Sequence, residues 1–338
     1  MNVKENYSLL NYNTFGIGVV ARYFVELSSN QDIQEFLEFK NYKKLGKLFL
    51  GGGSNILFTK DFDGIVVKVN NSGIDLIQET KDYFTVSVGA GMNWHSFVMY
   101  CIDKGYSGIE NLSLIPGNVG AAPMQNIGAY GVELKDVFKE LEAINLETGE
   151  VCIFSKKDCG FGYRTSVFKR ELKNKYVITR VVFNLFTKPN IQTSYGAIEH
   201  ELENMKVSEL SIRAVSEAVC RIRSSKLPLP SELGNAGSFF KNPTISVDDF
   251  NEIKKTFRDI SGYSNPDSLI KVPAAWLIEN CKWKGFRKGD AGVHKNHALV
   301  LCNYGNASGK EIYNLSEEIK LSVKDKFNIE LEREVNVY

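Results

Sequence analysis

Residues 113–131 constrain the fold more than any other stretch of this chain. Four glycines, three alanines and two prolines share these nineteen positions, and no side chain among them is charged. The segment is too interrupted for a helix and too apolar for a solvated loop, so its backbone has to press against something. Glycine lets peptide N–H groups approach a ligand, proline fixes the turns, and Asn118, Gln125 and Asn126 add neutral donors and acceptors. A phosphate and a flat polar ring would suit such a surface. A buried connection packed on its own protein is the alternative that the stretch by itself leaves open.

A second glycine run narrows the chemistry. Residues 47–50 read as a strand entering Gly51-Gly52-Gly53-Ser54-Asn55, and residues 56–58 and 65–69 are extended again. A Rossmann turn or a P-loop would open a helix at this point, so the strand–turn–strand order excludes both. Three glycines in a row still permit positive φ and can form a nest for an anion, although a plain hairpin turn is the favoured reading of the run taken alone.

The remaining pattern is mixed. Strands are expected at 23–27, 84–90, 141–144, 151–154, 176–185 and 298–302. One helix follows Ser28, Ser29 and Asn30, with Ile33, Phe36 and Leu37 inward. Asn93 caps a second, whose stripe of Trp94, Phe97, Val98, Cys101 and Ile102 closes at Gly105, and His95 beside it reads as a surface or capping residue. Ser208 is expected to cap a third, with Val215, Ala218, Val219 and Ile222 inward; Arg221, Arg223 and Lys226 at its end suit the negative helix pole. The run Leu227-Pro228-Leu229-Pro230 then marks a domain boundary. Further helices are expected after Ser246, after Pro273 and over 310–327. A final strand over 329–338 alternates apolar residues with Glu330, Glu332 and Glu334, a face that normally meets solvent.

At 338 residues the chain exceeds one core, which implies two or three domains. With 41 basic and 40 acidic residues the net charge is +1, so nothing marks a nucleic-acid or anionic membrane partner and a small molecule is expected. The start lacks the apolar run of a signal peptide and no stretch of about 20 apolar residues follows, which implies a cytoplasmic protein. Six cysteines without a C-x-x-C pair read as reduced thiols. His294 and His297 have helical ligand spacing, but no cluster completes a metal site, so no metal is expected.

Three short stretches carry candidate chemistry. Arg164, after Phe161-Gly162-Tyr163, is either a surface ion-pair partner or a fixed cation for a carboxylate or enolate. Ser238 is delivered by Gly234-Asn235-Ala236-Gly237 and followed by Phe239-Phe240; outside a G-x-S-x-G elbow it is a weak nucleophile candidate but can be a proton donor in a dry pocket. Glu334 would act only if it faced a cleft.

Taken together, Asn13-Thr14-Phe15-Gly16, the glycine run 51–55, residues 113–131, Phe161–Lys169, Gly234–Pro243 and Leu331-Glu332-Arg333-Glu334 resemble the UDP-N-acetylenolpyruvoylglucosamine reductase family over nearly the whole chain. The Tyr195 segment resembles its type I branch. The resemblance implies an α+β protein: a two-subdomain FAD-binding unit of the vanillyl-alcohol-oxidase type over about 14–189, then a C-terminal α+β substrate-binding domain. The parts would be 1–70 and 71–225 for FAD and 226–338 for substrate, the last strand (329–338) returning toward the flavin. It implies non-covalent FAD, NADPH as co-substrate, UDP-N-acetylenolpyruvoylglucosamine as substrate and a monomer. Cofactor contacts carry over to Gly51, Gly52, Gly53, Ser54, Asn55, Pro116, Gly117, Gly120, Ala121, Gln125, Asn126 and Gly128. Catalytic roles carry over to Arg164, Ser238 and Glu334, and substrate contacts to Tyr163, Tyr195, Lys226, Asn242, Tyr263, Lys271 and His297, the last standing where relatives tend to have glutamine. NADPH would come and go at the flavin, so the missing Rossmann motif is expected. Two rivals remain at this point: a flavin oxidase of the same superfamily using O₂, and a UDP-sugar-binding regulatory module without chemistry.

Overall fold

The computed structural model describes residues 1–39, 44–264 and 268–338. They form two compact units: residues 1–7, 21–53 and 62–225 in the first, and 8–20, 54–61 and 226–338 in the second.

The first unit holds two sheets. One has the strand order Lys4–Ser8, Val20–Leu27, Phe62–Val69, Gly46–Leu50, and Phe62–Val69 runs parallel to both Val20–Leu27 and Gly46–Leu50. The central run Ile65-Val66-Val67 is fully buried, as a parallel strand covered on both faces must be. Helix Asn30–Glu38 starts with a capping box from Ser29 and Asp32 and buries Ile33 and Phe36. The other sheet is antiparallel, in the order Val151–Ser155, Phe138–Asn145, Tyr176–Phe186, Tyr83–Gly89, Ile74–Glu79. Ile144 and Val177 of this sheet share a core with Val25, Val67, Ile33 and Phe36, which joins the two halves of the unit.

Helix Trp94–Lys104 covers the antiparallel sheet. Asn93 accepts the Ser96 N–H at 3.0 Å, and Gly105 ends the helix at φ 75°. Trp94 is 1% exposed, donates its indole N–H to the Leu112 carbonyl at 2.9 Å and packs edge-on against Phe97 and Phe183. Trp94→Ala is expected to destabilise the protein by about 3–5 kcal/mol, through the cavity and the orphaned carbonyl. Denaturant unfolding checks this; a loss below about 1 kcal/mol would mean that the site collapses and the packing is not limiting.

In the second unit a sheet of order Gly234–Ser238, Val300–Asn303, Ala291–Val293, Arg287–Lys288 is antiparallel throughout. A smaller one of order Thr244–Ser246, Leu269–Lys271, Tyr263–Ser264 is antiparallel too. Helix Gly309–Phe327 buries Ile312, Leu315, Ile319, Val323 and Phe327. The early segments are built in tightly: a Cβ at Gly309 would lie 1.7 Å from the Phe58 carbonyl oxygen, and one at Gly234 2.3 Å from that of Phe15. Asn336–Val337 pairs in parallel with Ile56–Leu57.

Three sequence expectations change. The helix Ile212–Lys226 is capped by Ser211, whose hydroxyl accepts the Ala214 N–H at 3.2 Å, and Ser208 lies outside it. Helix Gly196–Asn204 has no counterpart in the sequence reading, because its nine residues bury only Ile198 and leave little periodic signal. The alternating tail is not one strand: regular pairing is confined to Asn336–Val337, plus a bridge between Arg333 and Phe240. All six cysteines are free thiols, and burial pushes Cys159 and Cys302 up to about 12. Among the described residues no helix is long and apolar enough to cross a membrane.

Candidate functional site

In the first unit the two glycine-rich stretches meet. A Cβ on Gly52 would lie 2.8 Å from Gly117 Cα and 2.9 Å from Asn118 Oδ1, and one on Gly51 3.6 Å from Asn118 Cβ and 3.8 Å from Ala121 Cβ. Gly53 and Gly117 have φ 65° and 115°, a region that favours glycine. Lys68, its pKa lowered by burial, donates to the Gly51 carbonyl at 2.7 Å and pins the turn. Gly52→Ala is therefore expected to push the two loops apart and to weaken FAD retention by at least about tenfold, read by flavin released on dilution. Unchanged retention would show that the contact is incidental.

The 113–131 segment is held as turns rather than a loop. Val119 and Gly120 donate to the Met92 and Ala90 carbonyls at 2.9 Å each, and a Cβ at Gly120 would lie 2.4 Å from that of Ala90. At Gly120, then, glycine is required by packing. Asn118 spends its amide on Gly91 O (2.8 Å); buried Asn126 gives its own to Glu133 and Gly162 O and accepts the Lys135 N–H. Only Gln125 of the three amides stays half-exposed, with Lys169 Nζ at 3.2 Å from its Oε1. Pro116 and Ala121 are exposed and Gly117, Gly120 and Gly128 partly so, which leaves an uncharged, open strip of backbone.

Tyr163 and Arg164 form the tip of a tight turn closed by hydrogen bonds between Gly162 and Thr165. Arg164 sits at φ 52°, costly for a residue with a Cβ and common where function demands a special direction. Its Nη2 donates to Gly128 O at 2.6 Å, and its guanidinium lies 5.2 Å from the Tyr163 ring. Tyr195, 54% exposed, precedes helix Gly196–Asn204 and meets Tyr130 edge-on at 5.5 Å. His95 plays a structural part: burial and then the charge of Arg223 lower its pKa, and its Nδ1 accepts the Leu114 N–H at 3.1 Å.

The second unit brings Ser238, Glu334 and Asn55 together. Ser238 ends its strand after Gly237 (φ 69°), opposite Val300 across a bulge. Phe239 and Phe240, both fully buried, follow it. Glu334 N–H donates to Phe239 O at 2.9 Å, Lys241 N–H to Glu332 O at 2.9 Å, and Asn55 Nδ2 to Glu334 O at 3.2 Å. Glu330 and Glu332 are exposed while Glu334 is half-buried, so pairing with the serine segment selects one carboxylate of the three.

The expected substrate contacts divide. Tyr263, 61% exposed, stands opposite Lys271 in the small sheet. Asn242 spends its oxygen on the Ala274 N–H at 2.9 Å, capping helix Ala274–Asn280. His297 Nδ1 accepts the Leu299 N–H at 3.3 Å in the turn before Val300. Lys226 is exposed at its helix end; Ser54 is half-exposed. The sequence reading gave two of the three cations Arg221, Arg223 and Lys226 to the helix pole, and the structure sets Arg223 beside Tyr130. The available signal was position, since Arg223 falls on the same stripe as Ser216 and Val219.

The reductase named UDP-N-acetylenolpyruvoylglucosamine reductase in Flavobacterium johnsoniae is 51% identical to this chain over 340 residues and covers all of both proteins. The chain belongs to the UDP-N-acetylenolpyruvoylglucosamine reductase family. Reductases of that family from Amoebophilus asiaticus and Pseudomonas putida are 49% and 46% identical, over 99–100% of this chain and 98–99% of their own. The family model for the reductase C-terminal domain matches residues 229–338, and one for an FAD-binding domain matches 21–155. The crystal structure of the Thermus caldophilus reductase, 24% identical, has the same fold, with a TM-score of 0.69 over 100% of this chain and 99% of that one.

As a member of this flavin-dependent reductase family the chain is an α+β protein whose FAD-binding domain contains both glycine stretches. The residues present fit FAD: the strip at Pro116–Ala121 is open and uncharged, as a flat ring needs, and the Gly51–Gly53 turn has the glycine conformation that a phosphate nest needs.

Proposed function

We propose that this protein reduces the enolpyruvyl group of UDP-N-acetylenolpyruvoylglucosamine to UDP-N-acetylmuramate, with NADPH as donor, as a cytoplasmic step of peptidoglycan synthesis. Bound FAD would supply hydride to the β carbon of the enolpyruvyl ether after taking it from NADPH. The chain's own residues then have to handle the charge left on the α carbon and its carboxylate.

Arg164 supplies a permanent positive fork for that charge, and Glu334, when protonated, a hydrogen-bond donor. Ser238 donates its hydroxyl proton to the α carbon, a general-acid step for which serine suffices because a carbanion is a strong base. The buried Phe239 and Phe240 exclude water beside it. Lys226, Tyr195, Tyr263 and Lys271 offer cations and phenols for the diphosphate, where point charges serve without fixed geometry. The hydrogen bonds of Asn242 and His297 inside the protein make them supports of this surface as much as contacts.

The observation that carries the reading is the pairing of the Ser238 and Glu334 segments, which selects one carboxylate from a solvent-facing row. One cuvette tests it. Purified protein should be yellow, bleach anaerobically with NADPH and recover colour on adding the UDP-sugar. Colourless protein would favour a binding module, and peroxide formation without NADPH an oxidase; either overturns the proposal.

A further inference from the structure

Arg333 occupies a place that apolar packing would ordinarily fill. Leu331 and Val335, two residues to either side, are 2% and 4% exposed, so the extended backbone turns position 333 toward the same core. Glu330, Glu332 and Glu334 alternate with that row. Among the described residues, regular strand pairing in the tail is confined to Asn336–Val337. The backbone of 332–334 is held by the bridge between Arg333 and Phe240, by the Lys241–Glu332 and Glu334–Phe239 hydrogen bonds beside it, and by Asn55 on the Glu334 carbonyl. So short a ladder fixes register poorly, and a slip of one residue would exchange the inward and outward rows.

What the ladder lacks, the Arg333 side chain supplies. Its Nε donates to Ser316 Oγ at 3.0 Å, its Nη2 to Glu317 Oε1, and its guanidinium lies 4.5 Å from the Tyr313 ring. All three partners sit on one face of helix Gly309–Phe327, three and four residues apart. Ser316 is fully buried and donates its own proton to Tyr313 O at 2.6 Å, which leaves its oxygen as an acceptor of fixed direction. A planar fork met by a hydroxyl, a carboxylate and a ring fits one register, whereas an aliphatic side chain in the same row would pack in several. Burial lowers the Arg333 pKa, the mark of a charge brought inside at a cost. Fixing register is the best-attested return on such a cost.

Building on the functional reading above, in which Glu334 donates a hydrogen bond to the developing charge, we propose that Arg333 is a positioning residue. Its clamp on Tyr313, Ser316 and Glu317 sets the register from which Glu334 presents its carboxyl. In holoenzyme, Arg333→Met is expected to slow reoxidation of reduced flavin by the enolpyruvyl sugar at least about tenfold, because misplacing a catalytic group by about 1 Å costs up to about 10²-fold. Bleaching by NADPH and the KM for the sugar should change by less than about twofold. Arg333→Lys, which keeps the charge but not the fork, should recover little. The deciding comparison is a double-mutant cycle: in a Glu334→Ala background the Met substitution should slow reoxidation no further, since the group it misplaces is gone. Equal slowing in both backgrounds, or a fall in both half-reactions together, makes the arginine a merely structural group and overturns the proposal, as does a Met variant of wild-type rate. Should the Met variant fail to fold, Ser316→Ala decides: slowing of at least about threefold that is confined to reoxidation and absent beside Glu334→Ala supports the proposal, and an unchanged rate sinks it. If Glu334→Ala by itself reoxidises at the wild-type rate, the reading of Glu334 falls and this proposal with it, whereas wild-type protein that holds no flavin would sink the functional reading as a whole.

Discussion

Ser238→Ala is expected to leave the bleaching of bound flavin by NADPH nearly unchanged while slowing its reoxidation by the enolpyruvyl substrate by about 10²–10⁴-fold. The two half-reactions separate because only the second needs a proton on the α carbon. The substitution removes one oxygen from a half-buried position whose backbone is already paired with Val300, so the strand Gly234–Ser238 should persist. Stopped-flow absorbance measures each half-reaction in isolation. If both fell by the same factor, the hydroxyl would be a structural group and the proton would come from elsewhere.

Arg164→Met is expected to cost about 10²–10³-fold in the same second half-reaction, because a preorganised positive fork for the enolate is lost. Arg164→Lys should rescue little. The guanidinium uses one nitrogen on Gly128 O at 2.6 Å, and a planar fork can do this while still presenting donors outward, whereas an ammonium is a point charge without that division of labour. The turn that carries it should survive, since Gly162 and Thr165 close it through backbone hydrogen bonds. A lysine variant of near wild-type rate would show that charge alone matters, and a methionine variant with unchanged rate would remove Arg164 from the chemistry.

Local signals in the chain were read well where one chemical preference dominates. Ser29, Asn93 and Ser246 cap the helices they were expected to cap, and Gly105 closes the one it follows. The uncharged 113–131 segment did have to press on something, and it presses on Ala90, Gly91 and the Gly52 turn. Why each glycine is there was not legible: Gly120 makes room for Ala90, a neighbour thirty residues away that no local window contains. The tail was misread as one strand because alternation along 329–338 records which side faces the core, not which backbone groups find a partner. Charge at a helix C-terminus was expected to serve the pole for two of Arg221, Arg223 and Lys226, and the sequence could not tell that Arg223 would lie beside Tyr130.

By itself, the chain order of strand, glycine turn and strand decided that this is no Rossmann protein, and its long motifs decided the family, since turn chemistry and apolar periodicity depend on neighbours in sequence. Which of three glutamates leaves the solvent row and which amides are consumed by the protein were decided by the tertiary structure. Each of those depends on the burial of one group against another that lies far along the chain, and burial is a property that only packing confers.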